Sequence, residues 1–547
     1  MSIASRIIAH IWNLPPPVSR NIVEQRGARI PMRDGVDLLM DRYHPAGGDN
    51  LPVVLIRSPY GRSGLFHDVA VILAERGFLV LLQSCRGTGG SGGDLHPSFH
   101  EERDGCDTID WIGRQPWFCG KLALMGSSYL GNAAWAAAHG AGSKIAAMAV
   151  EMTLSDSRAE TYAFEGFTLE ACLIWTRTLT QPENSSLLRR LVETIWPRDF
   201  DSESIERAFL SLPLRDADQV AVGRRLSWWQ DWVEHAEPDE PFWTPIDFSA
   251  AAASAPPTVT IGGWHDVFLP WQIKDFERAK AAGREAWLTI GPWMHSALAA
   301  VGETVRQALP LFQTYLLDAP PQPRSPVRLF VIGAGEWREY GSWPPPGVTP
   351  AAYYLSAGGA LSTITPPSGE PSRYDYDPSD PTPSVNGPTL RTSPAVGDMA
   401  KLECRPDVLL FTAEPLKANV DIVGPVWAEL FFRSSLEHTD FFLCLCDVDT
   451  KSRSTNVCDG YIRIRPNRPQ PLDDETCRVR IELWPTAYRY RKGHRIRVIV
   501  ASGAHPRYAR NLGSGESLAD AVTLEVAHQQ VFHDPAHPSR IVLPVCS

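Results

Sequence analysis

The stretch Lys121-Leu122-Ala123-Leu124-Met125-Gly126-Ser127-Ser128-Tyr129-Leu130-Gly131-Asn132-Ala133-Ala134-Trp135 joins an apolar, strand-like run to a small-residue helix through a turn of glycine and serine. A serine between a strand and a helix, two residues after a glycine, is the pattern of a nucleophile elbow, in which the hydroxyl stands exposed above a sheet. Small residues are needed there because the strand end and the helix start nearly touch. The Gly-x-Ser register puts Ser128 at the apex and leaves Ser127 as the secondary candidate. The backbone N–H of Tyr129, the residue after the nucleophile, then becomes an oxyanion donor by the geometry of the turn itself. The usual pattern has a second glycine two residues after the nucleophile; here Leu130 holds that place and Gly131 follows. Gly-x-Ser turns are common, so the motif takes its weight from what lies downstream.

A triad on this kind of core runs serine, acid, histidine along the chain. Pro257-Thr258-Val259-Thr260-Ile261 reads as a buried strand opening into Gly262-Gly263-Trp264-His265-Asp266. A helix-like segment from Leu269 to Ala282 follows, and Ala286-Trp287-Leu288-Thr289-Ile290 forms a second strand opening into Gly291-Pro292-Trp293-Met294-His295. Strand, acid, helix, strand, histidine is the spacing of one αβ unit. Asp266 and His295 are therefore the expected partners of Ser128, with His295 carrying the proton and Asp266 holding the imidazole tautomer. His265, just before the acid, reads as a structural neighbour, and His139 as a helix-end histidine.

Gly126-x-Ser128-Tyr129-x-Gly131, Gly263-Trp264-x-Asp266-x-Phe268 and Gly291-Pro292-Trp293-x-His295 together resemble the cocaine esterase-like hydrolases, kin to X-prolyl dipeptidyl peptidases, α-amino acid ester hydrolases and cephalosporin acylases. The resemblance extends over nearly the whole chain, through Arg57-Ser58-Pro59-Tyr60, Arg86-Gly87-Thr88-Gly89-Gly90-Ser91-Gly92-Gly93, Asp107 to Ile112 and Arg510-Asn511-Leu512. It implies that the Tyr60 phenol is the second oxyanion donor and that Phe268 lines the acyl pocket. Trp175 is the further candidate for that pocket. Two departures bear on substrate preference: Ser84-Cys85 stand before Arg86 where Asp-Thr is usual, and His265 where tyrosine is common.

The alternation of apolar strands and helices from Asn21 to about Val150, with a hairpin around Asp34-Gly35, indicates a parallel sheet covered by helices. Too many residues separate Ser128 from Asp266 for the intervening αβ units. The excess has helical spacing and carries Trp175, Trp196, Trp228, Trp229, Trp232 and Trp243, tryptophans that as a class mostly serve packing. Proline runs at 320–326 and 344–346 mark a change of texture to short alternating strands. The expected fold class is α/β: an α/β-hydrolase core (1–154 and 251–320) with an inserted helical cap (155–250) and a C-terminal β jelly-roll domain (321–547), the jelly roll being what the resemblance implies. Gly87 to Gly92 formally satisfies G-x-G-x-x-G, but the glycines run into Gly93-Asp94-Leu95-His96-Pro97 rather than opening a helix, so a loop is expected and not a nucleotide site. Cys444 and Cys446 share one face of a strand without further close metal ligands, which reads as core packing.

The chain has 547 residues, 44% hydrophobic and 21% charged, the composition of an ordinary globular protein of two or three domains. A net charge of -11 argues against a nucleic-acid partner. The ten cysteines have no framework spacing, and no stretch approaches a membrane span or a signal peptide, which points to a soluble, cytoplasmic enzyme that does not engage membranes. The N-terminal Ile7-Ile8-Ala9-His10-Ile11-Trp12 reads as a short docked helix. No metal or organic cofactor is implied. The expected activity is a serine hydrolase cleaving small-molecule carboxylic esters through an acyl-enzyme; homo-oligomerisation is left open. One alternative keeps the triad but acts as an amidase or X-prolyl/aminoacyl peptidase, which needs carboxylates for a substrate ammonium; Glu151, Asp156, Glu160 and Glu165 are available near the cap. The other is a non-catalytic carbohydrate-binding protein with a decayed hydrolase core, against which the intact motifs speak.

Overall fold

Val53–Ser58, Leu79–Ser84 and Ala147–Glu151 are buried at every position. A strand with no solvent face must be covered on both sides, and a parallel sheet between helices supplies that cover. The computed structural model describes residues 3–48, 50–180, 203–295, 297–391, 394–466, 469–472 and 474–546. They divide into two units, one of 3–158 and 239–328, the other of 159–180, 203–238 and 329–546.

In the first unit the strands are β1 (Ile22–Pro31), β2 (Asp37–Pro45), β3 (Val53–Ser58), β4 (Leu79–Ser84), β5 (Leu122–Ser127), β6 (Ala147–Glu151), β7 (Thr258–His265) and β8 (Ala286–Met294). Their order is β1-β2-β4-β3-β5-β6-β7-β8. β1 and β2 form the hairpin expected at Asp34-Gly35, and from β4 onward every pairing is parallel. Helices α1 (Ile3–Ile11), α2 (Leu65–Ala74), α3 (Glu101–Gly113), α4 (Tyr129–Ala141), α5 (Leu269–Ala281) and α6 (Leu298–Leu317) cover this sheet. Val305, Leu309 and Phe312 of α6 join Val71, Ile72 and Leu73 of α2 in a core that also takes Val54 and Val80 from the sheet. The N-terminal helix is docked as expected: Trp12 is buried and Ser5 donates to Glu75 at 3.0 Å.

β7 and β8 run further than the sequence predicts. Gly262, Gly263 and Gly291 look like loop openings but lie inside strands, because backbone and side chains crowd them. A Cβ on Gly263 would stand 2.3 Å from the Trp293 carbonyl oxygen, and one on Gly262 2.7 Å from Gln272 Oε1. Glycine here marks a close approach within a strand. The consequence is positional: Asp266 and His295 follow directly on strand ends, at the carboxyl edge where β5 also delivers Ser128.

In the second unit nine strands close on themselves. The circuit runs Val420–Ser434, Arg540–Cys546, Val348–Ser356, Ala360–Ser362, Leu409–Ala413, Arg495–Ala501, Thr439–Val448, Ser454–Ile464, Cys477–Tyr490 and back to the first. Its pairings are antiparallel except for a short parallel one between Ala360–Ser362 and Leu409–Ala413. Closure removes the free edges that such long strands would otherwise present. Cys444 and Cys446 sit buried in it with sulfurs 3.7 Å apart. Among the described residues between β6 and β7 are the helices Leu169–Thr180, Glu203–Phe209, Ala217–Val222 and Ser227–Glu234. Trp175 lies in the first of these helices, buried and stacked on Trp232 with ring centroids 5.8 Å apart; Trp228 and Trp229 are buried in the last. Trp196 falls outside the described residues. Among the described residues no helix is long and apolar enough to cross a membrane.

Candidate active site

The elbow is built by two close approaches. A Cβ on Gly126 would stand 2.2 Å from the Leu130 carbonyl oxygen, and one on Gly131 2.5 Å from Thr153 Cγ2. Gly131 thus serves the close approach that the usual pattern gives to the preceding position, and Leu130 is free to pack into the core, where it is 3% exposed. Ser128 takes φ 53° and ψ -128°, a region L-residues rarely adopt. The strain is held by its neighbours: the Ser128 N–H donates to the Glu151 carbonyl at 2.9 Å, and the Ser128 carbonyl accepts from Thr153 Oγ1 at 2.7 Å. Functional sites are where such strain concentrates.

His295 comes to this apex from the end of β8. Its Nε2 lies 2.9 Å from Ser128 Oγ and its Nδ1 2.6 Å from Asp266 Oδ2. Asp266 is fully buried, and its other oxygen accepts the Phe268 N–H at 2.9 Å. Both carboxylate oxygens are therefore fixed, and the imidazole receives a short bond that sets Nδ1 as donor and leaves Nε2 toward the serine. Phe268 is 6% exposed and meets the His295 ring edge to face at 5.2 Å, so the structure brings it to the histidine as well.

Tyr60 follows β3 at the same edge of the sheet, half-buried, with its N–H bonded to Ser58 Oγ at 3.1 Å and its ring stacked on Phe66. Tyr129 opens α4 directly after Ser128, so its amide sits at a helix N-terminus, where N–H groups lack intrahelical acceptors. Ser127 lines a cavity of about 40 Å³ together with Gly126, Glu151 and Thr304. Trp175 belongs to the second unit.

Other candidates take structural places. Burial holds the His265 imidazole down to about 4, so it is neutral at ordinary pH. His139 sits near the C-terminal end of α4, 3.3 Å from Glu102. The glycine-rich loop packs on itself: a Cβ on Gly87 would stand 2.2 Å from the Leu95 nitrogen, and Arg62 Nη1 donates to the Gly89 carbonyl at 2.8 Å. The α3 helix begins only at Glu101, so the glycines do not open it.

Glu151, one of the carboxylates considered for a substrate ammonium, lies at the end of β6, wholly buried, and accepts from Thr304 Oγ1 at 2.9 Å. Asp156 accepts the Arg158 N–H at 3.0 Å, and Glu160 and Glu165 belong to the second unit. Burial pushes the Glu151 carboxyl up to about 7, with Thr304 and His295 pulling it down and Asp266 adding to the rise. An acid raised in this way keeps its proton in the fold at pH values where the unfolded chain has released it. The stability it contributes is complete below about 4.5 and lost as pH rises through about 7. Glu151→Gln, which keeps the bond to Thr304, should therefore gain on wild type by something on the order of 3 kcal/mol between pH 4.5 and 8. Urea unfolding at the two pH values checks this; an equal difference at both would show that the carboxyl does not titrate in the window.

Two family models match the chain: X-Pro dipeptidyl-peptidase (S15 family) over residues 34–297, and the X-Pro dipeptidyl-peptidase C-terminal non-catalytic domain over 322–542. Cocaine esterase of Rhodococcus sp. (strain MB1 Bresler) is 31% identical over 94% of this chain and 97% of its own length. The chain belongs to the cocaine esterase-like, X-prolyl dipeptidyl peptidase-like family of α/β-hydrolases. Among solved structures, an α-amino acid ester hydrolase superposes with a TM-score of 0.80 at 24% identity, covering 97% of this chain and 98% of its own. An aminopeptidase from a marine sediment Thaumarchaeota archaeon does so with a TM-score of 0.80 at 22%, covering 96% and 97%. At those identities the two structures speak to the fold: an α/β-hydrolase core with a C-terminal β domain.

Proposed function

We propose that this serine ester hydrolase works through an acyl-enzyme on Ser128. Ser128 Oγ attacks the ester carbonyl as its proton passes to His295 Nε2. Asp266 stabilises the imidazolium, and the proton then goes to the leaving alkoxide as the C–O bond breaks. Water then attacks the acyl carbon as it loses a proton to the same imidazole, which returns that proton to Ser128 Oγ as the acyl C–O bond to the serine breaks and the acid leaves. The observation that carries this reading is the continuous relay of 2.9 and 2.6 Å from Ser128 through His295 to a fully buried Asp266. The Tyr129 N–H and the Tyr60 phenol are the donors for the tetrahedral oxyanion. Phe268, whose ring meets that of His295 at 5.2 Å, borders the acyl group.

The proposed partner is a small-molecule ester, with no nucleic acid or membrane, in agreement with the net charge of -11. A cytoplasmic location is supported by ten free cysteines, two of them with sulfurs 3.7 Å apart and unbonded. The proposed domain limits stand at 154, 250 and 320, the last of them between the family matches that end at 297 and resume at 322. An aminoacyl preference draws no support from Glu151, which is buried and bonded to Thr304. The test is a matched substrate series: simple acyl p-nitrophenyl esters, α-aminoacyl esters, and aminoacyl and X-prolyl p-nitroanilides. The expected order of kcat/KM puts simple acyl esters first by at least about tenfold. A preference for X-prolyl p-nitroanilide would replace esterase with peptidase while leaving the triad chemistry unchanged.

A further inference from the structure

Tyr129 is anchored at both ends. Its amide begins α4 beside the nucleophile, and its phenol lies deep under the elbow, 3% exposed overall. There the hydroxyl donates to Glu101 Oε1 at 2.9 Å and accepts the Ser98 N–H at 2.8 Å. Glu101 is itself clamped. Arg57 Nη1 lies 2.8 Å from Glu101 Oε2, and its N–H is directed to the Glu101 carbonyl oxygen, also at 2.8 Å. Arg57 Nε is held by Gln83 Oε1 at 2.9 Å. Arg57 and Glu101 are each 3% exposed, so this is a buried ion pair with further hydrogen bonds, an arrangement whose geometry is far more rigid than that of a surface pair.

Ser98 closes the other side. It holds φ 67°, and its hydroxyl donates to Asn132 Oδ1 at 3.1 Å on the same helix, α4. Asn132 in turn donates to the Leu154 carbonyl at 3.2 Å. Burial and the adjacent Glu101 carboxylate keep the phenol well above its ordinary value, so it remains a donor. A side chain that only filled space would need none of these partners. What they hold in place is the residue whose N–H is the proposed oxyanion donor.

We infer that Glu101, held by Arg57 and acting through the Tyr129 phenol, is a positioning residue for the oxyanion hole: it aims the Tyr129 N–H at the developing oxyanion. This rests on the reading of that amide as an oxyanion donor. An amide displaced by a fraction of an ångström still binds substrate but stabilises the transition state less. The cost falls in kcat, not KM.

The experiment compares an ester with its thiono analogue, in which the carbonyl oxygen is replaced by sulfur, a poor hydrogen-bond acceptor. Rates are expressed per active site titrated with a fluorophosphonate, so that unfolded protein is not counted. Wild type is expected to prefer the oxo ester strongly. Tyr129→Phe, which removes only the hydroxyl, is expected to lose about tenfold in kcat on the oxo ester with KM nearly unchanged. That loss is a part of the hundredfold or more that removing an oxyanion donor outright costs. The oxo-to-thiono ratio should shrink by the same factor. Glu101→Ala, which leaves the phenol without its acceptor, is expected to shrink the ratio in the same direction and by a comparable factor per titrated site, and a ratio equal to wild type there would overturn the role of Glu101. A wild-type enzyme indifferent to the sulfur substitution would overturn the oxyanion reading and this proposal with it. A wild-type preference left intact in Tyr129→Phe, at unchanged kcat per titrated site, would overturn the positioning role alone.

Discussion

Ser128→Ala is expected to lower kcat on a p-nitrophenyl ester by roughly four to six orders of magnitude, while Ser127→Ala retains most of it. The two hydroxyls are adjacent in sequence but differ in place. Ser127 is the last residue of β5 and lines a cavity shared with Glu151 and Thr304. Ser128 stands at the strained apex with φ 53° and has His295 Nε2 at 2.9 Å. Only a hydroxyl at that apex can lose its proton to the imidazole as it attacks, so only its removal disables both nucleophile and relay. Residual activity above the uncatalysed rate should persist, because oxyanion donors and substrate binding do not depend on the hydroxyl. Mass spectrometry after fluorophosphonate treatment should find the adduct on Ser128. An adduct on Ser127, or a Ser127→Ala enzyme as inactive as Ser128→Ala, would move the nucleophile by one residue and break the proposed relay.

The elbow is legible in the sequence because its physical demands are local. A strand, a turn that tolerates no Cβ at Gly126 and a helix opening within two residues leave a continuous signature of about fifteen residues. The positions of Asp266 and His295 are legible for the related reason that each directly follows a strand of one αβ unit. Where the strands stop is not, since Gly262, Gly263 and Gly291 read as loop but are required by Trp293 and Gln272 packing across the strands. The support beneath the proposed oxyanion donor Tyr129 is hidden altogether. Glu101-Glu102-Arg103-Asp104 looks like a solvated helix start, yet Glu101 and Asp104 are 3% and 1% exposed, each with an arginine brought in from 44 and 18 residues earlier. Charge that is paired at long range cannot be told from charge that is exposed by reading along the chain. The same effect masks Ser454–Ile464, a strand buried at all but one position that carries Asn456, Asp459 and Arg463. Asp459 pairs with Arg507 at 2.7 Å and Arg463 with Asp440 at 3.0 Å, so its polar residues break the alternation that would announce a strand.

Tyr60→Phe is expected to lower kcat by about two to three orders of magnitude with a much smaller change in KM, the signature of a donor used mainly in the transition state. The alternative is that Tyr60 packs. Its ring lies nearly parallel to that of Phe66, with centroids 6.1 Å apart, and phenylalanine would keep that contact entirely. Packing alone therefore predicts almost no effect, and the substitution separates the two roles by its size. Position favours the donor: the residue follows β3, which pairs with β5, and so stands at the edge of the sheet that carries Ser128. Its N–H is held by Ser58 Oγ at 3.1 Å, which fixes the turn from which the phenol projects. Steady-state kinetics on one activated ester decide the matter, with circular dichroism to confirm that the variant is folded. Near wild-type kcat would leave the Tyr129 amide as a donor without Tyr60, and the second hydrogen bond to the oxyanion would have to come from another group at the carboxyl edge of the sheet.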